Sequence, residues 1–238
     1  GYKALLEFKG KYSVEYVIDA LKQSMYVKNP RIVGPQELKE KLEEKAKGEY
    51  VFIESGEDPI DNIRRAINET NAYASERVLA ITADIPLITA EAIDDFLKKA
   101  YVSNADVCSV FVHKEHFDEE YPEIERRFFN FRGGPYAPGN LFLFDPQLFK
   151  REDVMQRIEG VYEDRKHPIK QAKRIGIDVI LLYFFEVKLF PLVSLEKLAK
   201  TISKRVGINV KPIESTFPEV ELDIDYAEDY EFMERILG

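Results

Sequence analysis

Carboxylates at two places in the chain are the residues best suited to chemistry. Asp84 lies directly after the apolar run 78–81 and just before Pro86, while Asp223 and Asp225 alternate with apolar residues near the end of the chain. Carboxylate oxygens are the ligands that hard cations such as Mg²⁺ prefer, and such a cation in turn holds phosphate groups. Asp84 is therefore either a metal ligand or the cap of an ordinary turn, since aspartate is also common in turns.

The two later aspartates are predicted to share one face of a strand, because Leu222 and Ile224 alternate with them. A helix is predicted to follow, from about residue 227 to residue 237. Two adjacent carboxylates repel each other, and the segment contains no basic residue that would relieve the repulsion. Either a bound divalent cation or exposure to solvent would relieve it, and the segment alone favours neither.

The elements that must position these carboxylates alternate between strands and helices. Short strands are predicted at 31–34, 50–53, 78–81 and 106–112. The run 78–81 is typical of a central parallel strand buried on both faces, and Ser13 and Thr89 are predicted to cap helices. Strands that alternate with helices favour a parallel, layered α/β sheet. In such sheets ligands bind beyond the carboxyl ends of the strands, which is where Asp84 lies.

The second half of the chain departs from this alternation. A strand and a turn are predicted around 126–135, a second strand at 139–145, and mostly helices over 147–210. Gly139 and Asn140 stand at the start of the second strand. They indicate either turn chemistry or a place where a ligand approaches the backbone closely and the asparagine side chain binds it.

Two groups of basic residues have an ordinary interpretation beside a chemical one. The charged run 163–170 is either a solvated face or a patch that faces phosphate groups. The members of that patch would be Arg165, Lys166 and Lys170. His113 and His116 are three residues apart, but no third histidine lies near them in the sequence and no firm helix is predicted there, so a metal site is not favoured.

Composition restricts the class of protein. The chain has 238 residues, of which 45% are hydrophobic and 32% charged, and its net charge of −9 lacks the basic footprint of a nucleic-acid-binding protein. Its one cysteine, Cys108, excludes an internal disulfide, suits the cytoplasm and is predicted to be buried. The apolar span 175–193 is too interrupted to cross a membrane and is interpreted as core or as a homodimer contact. Abundant Lys and Glu without Trp are typical of thermophilic proteins.

Several segments, in their order along the chain, resemble the MobA-like nucleotidyltransferase family, which is related to molybdenum cofactor guanylyltransferase and to sugar-phosphate nucleotidyltransferases. They are the start of the chain from Lys3 to Leu21, the segment 83–86, the pair 139–140 and the acidic segment 223–229. Each is short, but the ordered set is fairly specific. The resemblance implies a Rossmann-like, layered and mostly parallel α/β sheet of the nucleotide-diphospho-sugar transferase type. It also implies a single domain over 1–238, with a helical insertion at about 147–210 before a closing acidic strand.

The resemblance also implies roles for individual residues. Lys3 would contact the nucleotide phosphates, and Asp84 and Asp225 would coordinate Mg²⁺ or Mn²⁺. Asp223 is a poorer metal ligand because it is one position off in that alignment, and Asn62 would lie near the nucleotide. The remaining substrate contacts would be Gly139, Asn140, Lys166 and Lys170. The implied partners are a nucleoside triphosphate and a small phosphorylated acceptor.

The implied reaction is transfer of a nucleoside monophosphate from the triphosphate to a phosphorylated or hydroxyl acceptor, with release of pyrophosphate. Two alternatives stay open beside it. A glycosyltransferase-like enzyme would use a nucleotide-sugar and release a nucleoside diphosphate instead. A nucleotide-binding module without catalysis is the other alternative, because the strand and Gly-rich loop with which the family begins do not precede Lys3 in the printed sequence.

Overall fold

Strands and helices alternate along most of the chain in the computed structural model, which describes residues 2–45, 51–74, 77–163 and 193–238. The strands are β1 (Glu7–Phe8), β2 (Lys11–Tyr12), β3 (Arg31–Gly34), β4 (Val51–Glu54), β5 (Val78–Ile81), β6 (Val107–His113), β7 (Phe129–Phe131), β8 (Gly134–Phe144) and β9 (Val210–Ser215). The α-helices are α1 (Ser13–Gln23), α2 (Gln36–Lys45), α3 (Pro59–Thr70), α4 (Ala90–Ser103), α5 (Lys114–Glu120), α6 (Glu152–Glu163), α7 (Leu195–Val206) and α8 (Ala227–Leu237).

The larger sheet has the strand order β5–β8–β6–β9, and β7 pairs with β8. β8 is antiparallel to both β5 and β6, whereas β9 is parallel to β6, so β5, β6 and β9 all run in one direction. β3 and β4 form a separate parallel pair. The predicted α/β fold with a mostly parallel sheet is therefore confirmed, and β8 is the long strand that runs against the others.

Helices cover both faces of the larger sheet. On one face, α1 and α4 pack on the strands in a core that includes Phe96 and Val110. On the other face, α3, α6 and α7 form a second core that includes Ile67 and Val154. The β3–β4 pair joins the first core through Ile32. The result is a layered arrangement in which the ends of the strands, rather than their faces, are left for ligands.

Strand β5 differs from the predicted central strand that is buried on both faces. Its four residues are only half-buried, and its ladder partner is the antiparallel β8. In the described part of the chain, the other edge of β5 has no strand partner. A strand with a neighbour on one side leaves part of each side chain accessible, and an apolar run in the sequence does not reveal how many neighbours it will have.

The two predicted helix caps had different outcomes. Thr89 is the N-cap of α4, and its hydroxyl accepts a 3.1 Å hydrogen bond from the N–H of Ala92. The Ser13 prediction was wrong, because Tyr12 is the N-cap and Ser13 is the first residue of α1. The Ser13 hydroxyl instead donates to the carbonyl oxygen of Ala83 at 2.9 Å. This bond fixes the start of α1 to the loop that follows β5.

The acidic segment 221–225 is not the strand that its alternation predicted. The alternation itself is real, because Leu222 and Ile224 are buried whereas Asp225 is exposed. Yet the backbone forms no ladder, and the N–H of Ile224 donates to the carbonyl oxygen of Asp84 at 3.1 Å. The segment is extended but held by isolated contacts, which leave the same burial pattern as a strand.

Helices α6 and α7 lie within 147–210, the range predicted to be mostly helical. Residues 164–192 lie outside the described residues, so the predictions for the patch within 163–170 and for the apolar span 175–193 stay predictions. The same holds for a single domain with a helical insertion. Among the helices of the described residues, none combines the length and the apolar character needed to cross a membrane.

Candidate active site

Lys3, Asp84 and Asp225 meet at one end of the larger sheet, although they come from distant parts of the chain. The ammonium nitrogen of Lys3 lies 3.5 Å from Oδ2 of Asp84 and forms a close ion pair with Oδ1 of Asp225. The side chain of Asp84 is 19% exposed, whereas those of Lys3 and Asp225 are 43% and 48% exposed. The structure thus brings together the three residues predicted to be catalytic, with Asp84 the most enclosed.

The direction of the strands explains why the two carboxylates converge. Asp84 follows β5, and the segment 221–225 follows β9 after one 3-10 turn. Because β5 and β9 run in the same direction, their carboxyl ends lie at the same edge of the sheet. The backbone bond from Ile224 to Asp84 then joins the two segments directly.

The beginning of the chain brings Lys3 to the carboxylates. Lys3 opens a short 3-10 turn, which leads into the β1–β2 hairpin. The hydroxyl of Tyr16 donates to the carbonyl oxygen of Phe8 at 2.8 Å, and the hydroxyl of Tyr230 donates to that of Glu7 at 3.2 Å. The hairpin is therefore fixed to α1 on one side and to α8 on the other, and Lys3 is held beside the segment that precedes α8.

Charges at the site favour a cation. Partial burial lowers the pKa of Lys3, but its hydrogen bond with Asp225 and the nearby carboxylates outweigh that effect and raise the pKa above its ordinary value. Burial raises the pKa of Asp223, and the charges of Asp225 and Asp84 raise it further. Lys3 is therefore fully protonated at neutral pH, and the surrounding carboxylates exert a field that stabilises positive charge.

Gly139 and Asn140, the predicted acceptor contacts, lie against protein atoms. A Cβ at Gly139 would lie 2.6 Å from Cγ1 of Val110 and 2.8 Å from the carbonyl oxygen of Val220, so only glycine allows this close approach. Nδ2 of Asn140 donates to the carbonyl oxygens of Val220 and Glu221, each at 3.4 Å. Both residues fix β8 to the segment that carries the second carboxylate. Their role in acceptor binding stays a prediction.

The buried carboxyl group of Glu219 makes a second connection between the loop that contains Asp84 and the acidic segment 221–225. Glu219 accepts a 2.9 Å hydrogen bond from the hydroxyl of Thr89, which also caps α4. Burial raises the pKa of Glu219, and the hydrogen bond from Thr89 opposes that shift. This contact joins the 3-10 turn before the acidic segment to the loop that begins at Asp84.

Arg126 is a site residue that the sequence analysis did not identify. Its side chain is 6% exposed, and Nη1 lies 3.1 Å from Oδ1 of Asp229 while Nε lies 3.4 Å from Oε2 of Glu221. Nη2 donates to the carbonyl oxygen of Asp223 at 2.6 Å. The sequence did contain a signal, because an acidic segment without its own basic residue needs a cation from elsewhere in the chain. Arg126 lies just before the apolar segment 128–131, so its charged side chain is close to a part of the chain that is expected to be buried.

The other predicted contacts are not brought to this site by any described interaction. Asn62 lies on α3, and its Oδ1 accepts a 2.6 Å hydrogen bond from the N–H of Gly56, so it fixes the loop after β4. Its position near a nucleotide stays a prediction. Lys166 and Lys170 lie outside the described residues, and their role in substrate binding also stays a prediction.

The remaining candidates have structural surroundings. Cys108 is buried as predicted, and burial raises the pKa of its thiol, which disfavours a reactive thiolate. His113 accepts a hydrogen bond from the N–H of Glu115 at 3.3 Å. Across the described ranges, no group of three or more His, Cys, Asp or Glu side chains is arranged to hold a metal ion.

The pair of Asp84 and Asp225 nevertheless fits one class of metal site. Mg²⁺ is commonly held by one or two carboxylates together with substrate phosphates, and it keeps several water ligands. The ammonium of Lys3 already lies where positive charge is stabilised by both carboxylates. The donor set is therefore suited to a divalent cation that takes its other ligands from water or phosphate oxygens rather than to a fully protein-bound metal.

The buried carboxyl group of Glu221 leads to a prediction on stability. Burial raises its pKa to about 8, and the guanidinium of Arg126 opposes that shift. Between pH 4.5, the ordinary pKa of glutamate, and about pH 8, the folded protein keeps a proton that the unfolded chain has released. The free energy of unfolding should therefore fall as pH rises through this range. We expect Glu221→Gln to reduce that slope, measured by denaturant unfolding at a series of pH values.

Glu196→Gln is the control for this experiment. A hydrogen bond from Lys211 lowers the pKa of Glu196, so its contribution to the pH dependence lies below pH 4.5. A Glu221→Gln variant with the same slope as wild type would show that Glu221 is ionised in the folded protein at neutral pH.

Comparison with known proteins agrees with this fold. Residues 1–175 match the MobA-like NTP transferase domain. A solved structure titled as a hypothetical transferase from Thermus thermophilus is 28% identical, with a TM-score of 0.81 over 97% of this chain and 90% of that one. The structure of 4-diphosphocytidyl-2C-methyl-D-erythritol synthase is 12% identical, with a TM-score of 0.59 over 99% of this chain and 95% of that one. No curated protein sequence matches the chain.

The family match establishes the family of the chain, whereas the structural likeness to the synthase bears only on its fold. The likeness to the synthase shows the fold alone, because its identity is low. The family match covers well over half of the chain and includes both Lys3 and Asp84. The chain therefore belongs to the family of MobA-like NTP transferase domains.

Proposed function

We propose that this nucleotidyltransferase transfers a nucleoside monophosphate from a nucleoside triphosphate to a phosphorylated or hydroxyl acceptor, releases pyrophosphate, and requires Mg²⁺ or Mn²⁺. One observation carries the proposal. The ammonium of Lys3 contacts both Asp84 and Asp225 at the carboxyl edge of the sheet, in a chain of the NTP transferase family. A triphosphate bound there would meet the ammonium of Lys3 and two carboxylates that can together bind a metal cation.

The proposed reaction asks little acid–base chemistry of the protein. An oxygen of the acceptor attacks the α-phosphorus, and the bond from that phosphorus to the oxygen bridging to the β-phosphate breaks. Pyrophosphate leaves with the bonding electrons. A phosphate acceptor is already ionised, so no side chain has to remove a proton, whereas a hydroxyl acceptor passes its proton to water as the new bond forms. Positioning and charge neutralisation are then the main contributions of the protein.

Lys3 is suited to neutralise phosphate charge. Its side chain is 43% exposed, so phosphate oxygens can reach it, and its raised pKa keeps it charged. Without a nucleotide it is paired with Asp225. When a triphosphate binds, the ammonium can exchange the carboxylate for phosphate oxygens, which frees Asp225 for another cation.

Asp84 and Asp225 are the residues that would hold the metal ion. Their negative charges alone would repel a triphosphate, so binding requires additional positive charge at this edge. A divalent cation bound there would supply that charge and screen the phosphate oxygens during the transfer. Asp84 is the more enclosed of the two and would fix the position of the metal ion, and through it that of the phosphates. Asp225 would hold the metal ion from the solvent side.

Substitution of either carboxylate tests the proposal. We expect Asp84→Asn and Asp225→Asn each to lower pyrophosphate release by about a hundredfold or more, because an electrostatic contact at the reacting phosphate is lost. The measurement is pyrophosphate release with each of the four common nucleoside triphosphates, Mg²⁺ and a panel of sugar phosphates. Asp153→Asn is the matched control, since Asp153 is an exposed aspartate that pairs with Arg157 on α6.

The products of the wild-type protein decide between the possible functions. Release of a nucleoside diphosphate from a nucleotide-sugar, without pyrophosphate from a triphosphate, would contradict the proposal in favour of glycosyl transfer. Nucleotide binding without turnover would indicate a binding module. Unchanged pyrophosphate release in both aspartate variants would show that the metal and phosphates bind elsewhere.

Lys3 gives a second test, with two effects of opposite sign. We expect Lys3→Met to bind Mn²⁺ severalfold more tightly in the absence of nucleotide, because the ammonium no longer competes for Asp84 and Asp225. The same variant should release pyrophosphate more slowly, because a phosphate contact is lost. Mn²⁺ affinity is measured by electron paramagnetic resonance of the free ion. Lys211→Met, which removes an ion pair with Glu196, is the control. Weaker or unchanged Mn²⁺ binding by Lys3→Met would contradict the assignment of both carboxylates to the metal.

A further inference from the structure

We propose that Arg126 is a positioning residue, which holds the backbone on both sides of Asp225 so that this carboxylate faces Lys3 and Asp84. With a side chain that is 6% exposed, Arg126 is too enclosed to contact a substrate itself. Its action would be indirect, through the acidic segment. The catalytic consequence rests on the proposed function, whereas the positioning role does not.

Two routes connect the guanidinium of Arg126 to the backbone around Asp225. The first is direct, because Nη2 donates to the carbonyl oxygen of Asp223 at 2.6 Å. The second passes through Asp229, whose Oδ1 lies 3.1 Å from Nη1. The other oxygen of Asp229 accepts hydrogen bonds from the N–H groups of Asp225 and Tyr226, both at 2.8 Å. The guanidinium therefore fixes the chain just before and just after the α-carbon of Asp225.

This segment needs such a clamp because it has no strand neighbour. The region 221–225 forms no ladder, so its backbone polar groups rely on individual partners. One of them is the bond from Ile224 to the carbonyl oxygen of Asp84. Asn140 supplies another, at the carbonyl oxygen of Glu221. The contacts of Arg126 act over the residues nearest Asp225, at Asp223 directly and at Asp225 and Tyr226 through Asp229.

Only an arginine can make both contacts at once. The guanidinium is planar and presents several N–H donors in a fixed fork, whereas a lysine ammonium is a single point charge on a flexible stem. Arg126→Lys would keep the positive charge among the buried carboxylates but could not reach Asp223 and Asp229 together. That substitution separates the geometric role of Arg126 from its charge.

The experiment compares Arg126→Lys with Arg235→Lys. Arg235 is a matched control because it also joins the region before β7 to α8, through a 2.9 Å ion pair with Glu123, but it is 64% exposed. Amide hydrogen exchange is measured without ligand, and Mn²⁺ affinity is measured by electron paramagnetic resonance. We expect Arg126→Lys to exchange the amides of Asp225 and Tyr226 severalfold faster. It should also bind Mn²⁺ about tenfold more weakly. Arg235→Lys should match wild type in both.

A second variant keeps the proposal testable if Arg126→Lys does not fold. Asp229→Ala removes the second route and is expected to speed exchange at the same two amides and to weaken Mn²⁺ binding. If both variants fold, the effects on exchange at Asp225 should be less than additive in free energy in the double variant, because the route through Asp229 needs both residues. Additive effects would show that Asp229 acts without Arg126.

Two results would overturn the proposal. One is a folded Arg126→Lys variant, or failing that a folded Asp229→Ala variant, with wild-type exchange at Asp225 and Tyr226. The other is faster exchange with unchanged Mn²⁺ affinity. Failure of the proposed function would look different, because the wild-type protein itself would release no pyrophosphate or would not bind Mn²⁺. In that case the exchange rates alone decide whether Arg126 positions the segment.

Discussion

The concentration of negative charge at one edge of the sheet is the constraint on which this site depends. Asp84 and Asp225 share one ammonium, and burial together with the charge of Asp223 and its neighbours raises the pKa of Glu221. Carboxylates placed together repel each other, and nearby cations, solvent exposure or protonation of one group relieves the repulsion. Under the proposed function, the same field that holds Lys3 would also hold a divalent cation and so favour binding of a triphosphate.

The fold meets this constraint with strand direction and with a few local contacts. Because β5 and β9 run the same way, the loops after them emerge at the same edge of the sheet. The segment after β9 then has no ladder of its own and depends on Asp84, Asn140 and Arg126 for its shape. These individual contacts fix the short stretch of backbone that carries Asp225, in place of the hydrogen bonds that a strand ladder would supply. If Asp225 binds a metal ion as proposed, local opening of this segment should weaken metal binding before it affects the fold.

How much the sequence could predict depended on the range of the interactions involved. Thr89 was identifiable as a cap because capping depends on neighbours in the chain, and the burial of Leu222 and Ile224 followed from simple alternation. The half-exposed β5 and the absence of a strand at 221–225 could not be predicted, because both depend on which segments become neighbours. Asp84 and the pair Asp223 and Asp225 were candidates from their positions beside apolar residues, whereas Lys3 and the preference for Asp225 over Asp223 came from resemblance to a family. Arg126 was missed, because its partners lie about a hundred residues away and no local pattern connects them.

The central claim is that Asp84 and Asp225 share a metal ion while Lys3 binds phosphate. The most direct measurement is anomalous diffraction from crystals grown with Mn²⁺ and a non-hydrolysable nucleoside triphosphate analogue. We expect a Mn²⁺ peak within coordination distance of carboxylate oxygens of both aspartates, with the ammonium of Lys3 on a phosphate oxygen. A nucleotide bound at another edge of the sheet, or a peak remote from both aspartates with Lys3 still paired to Asp225, would contradict it.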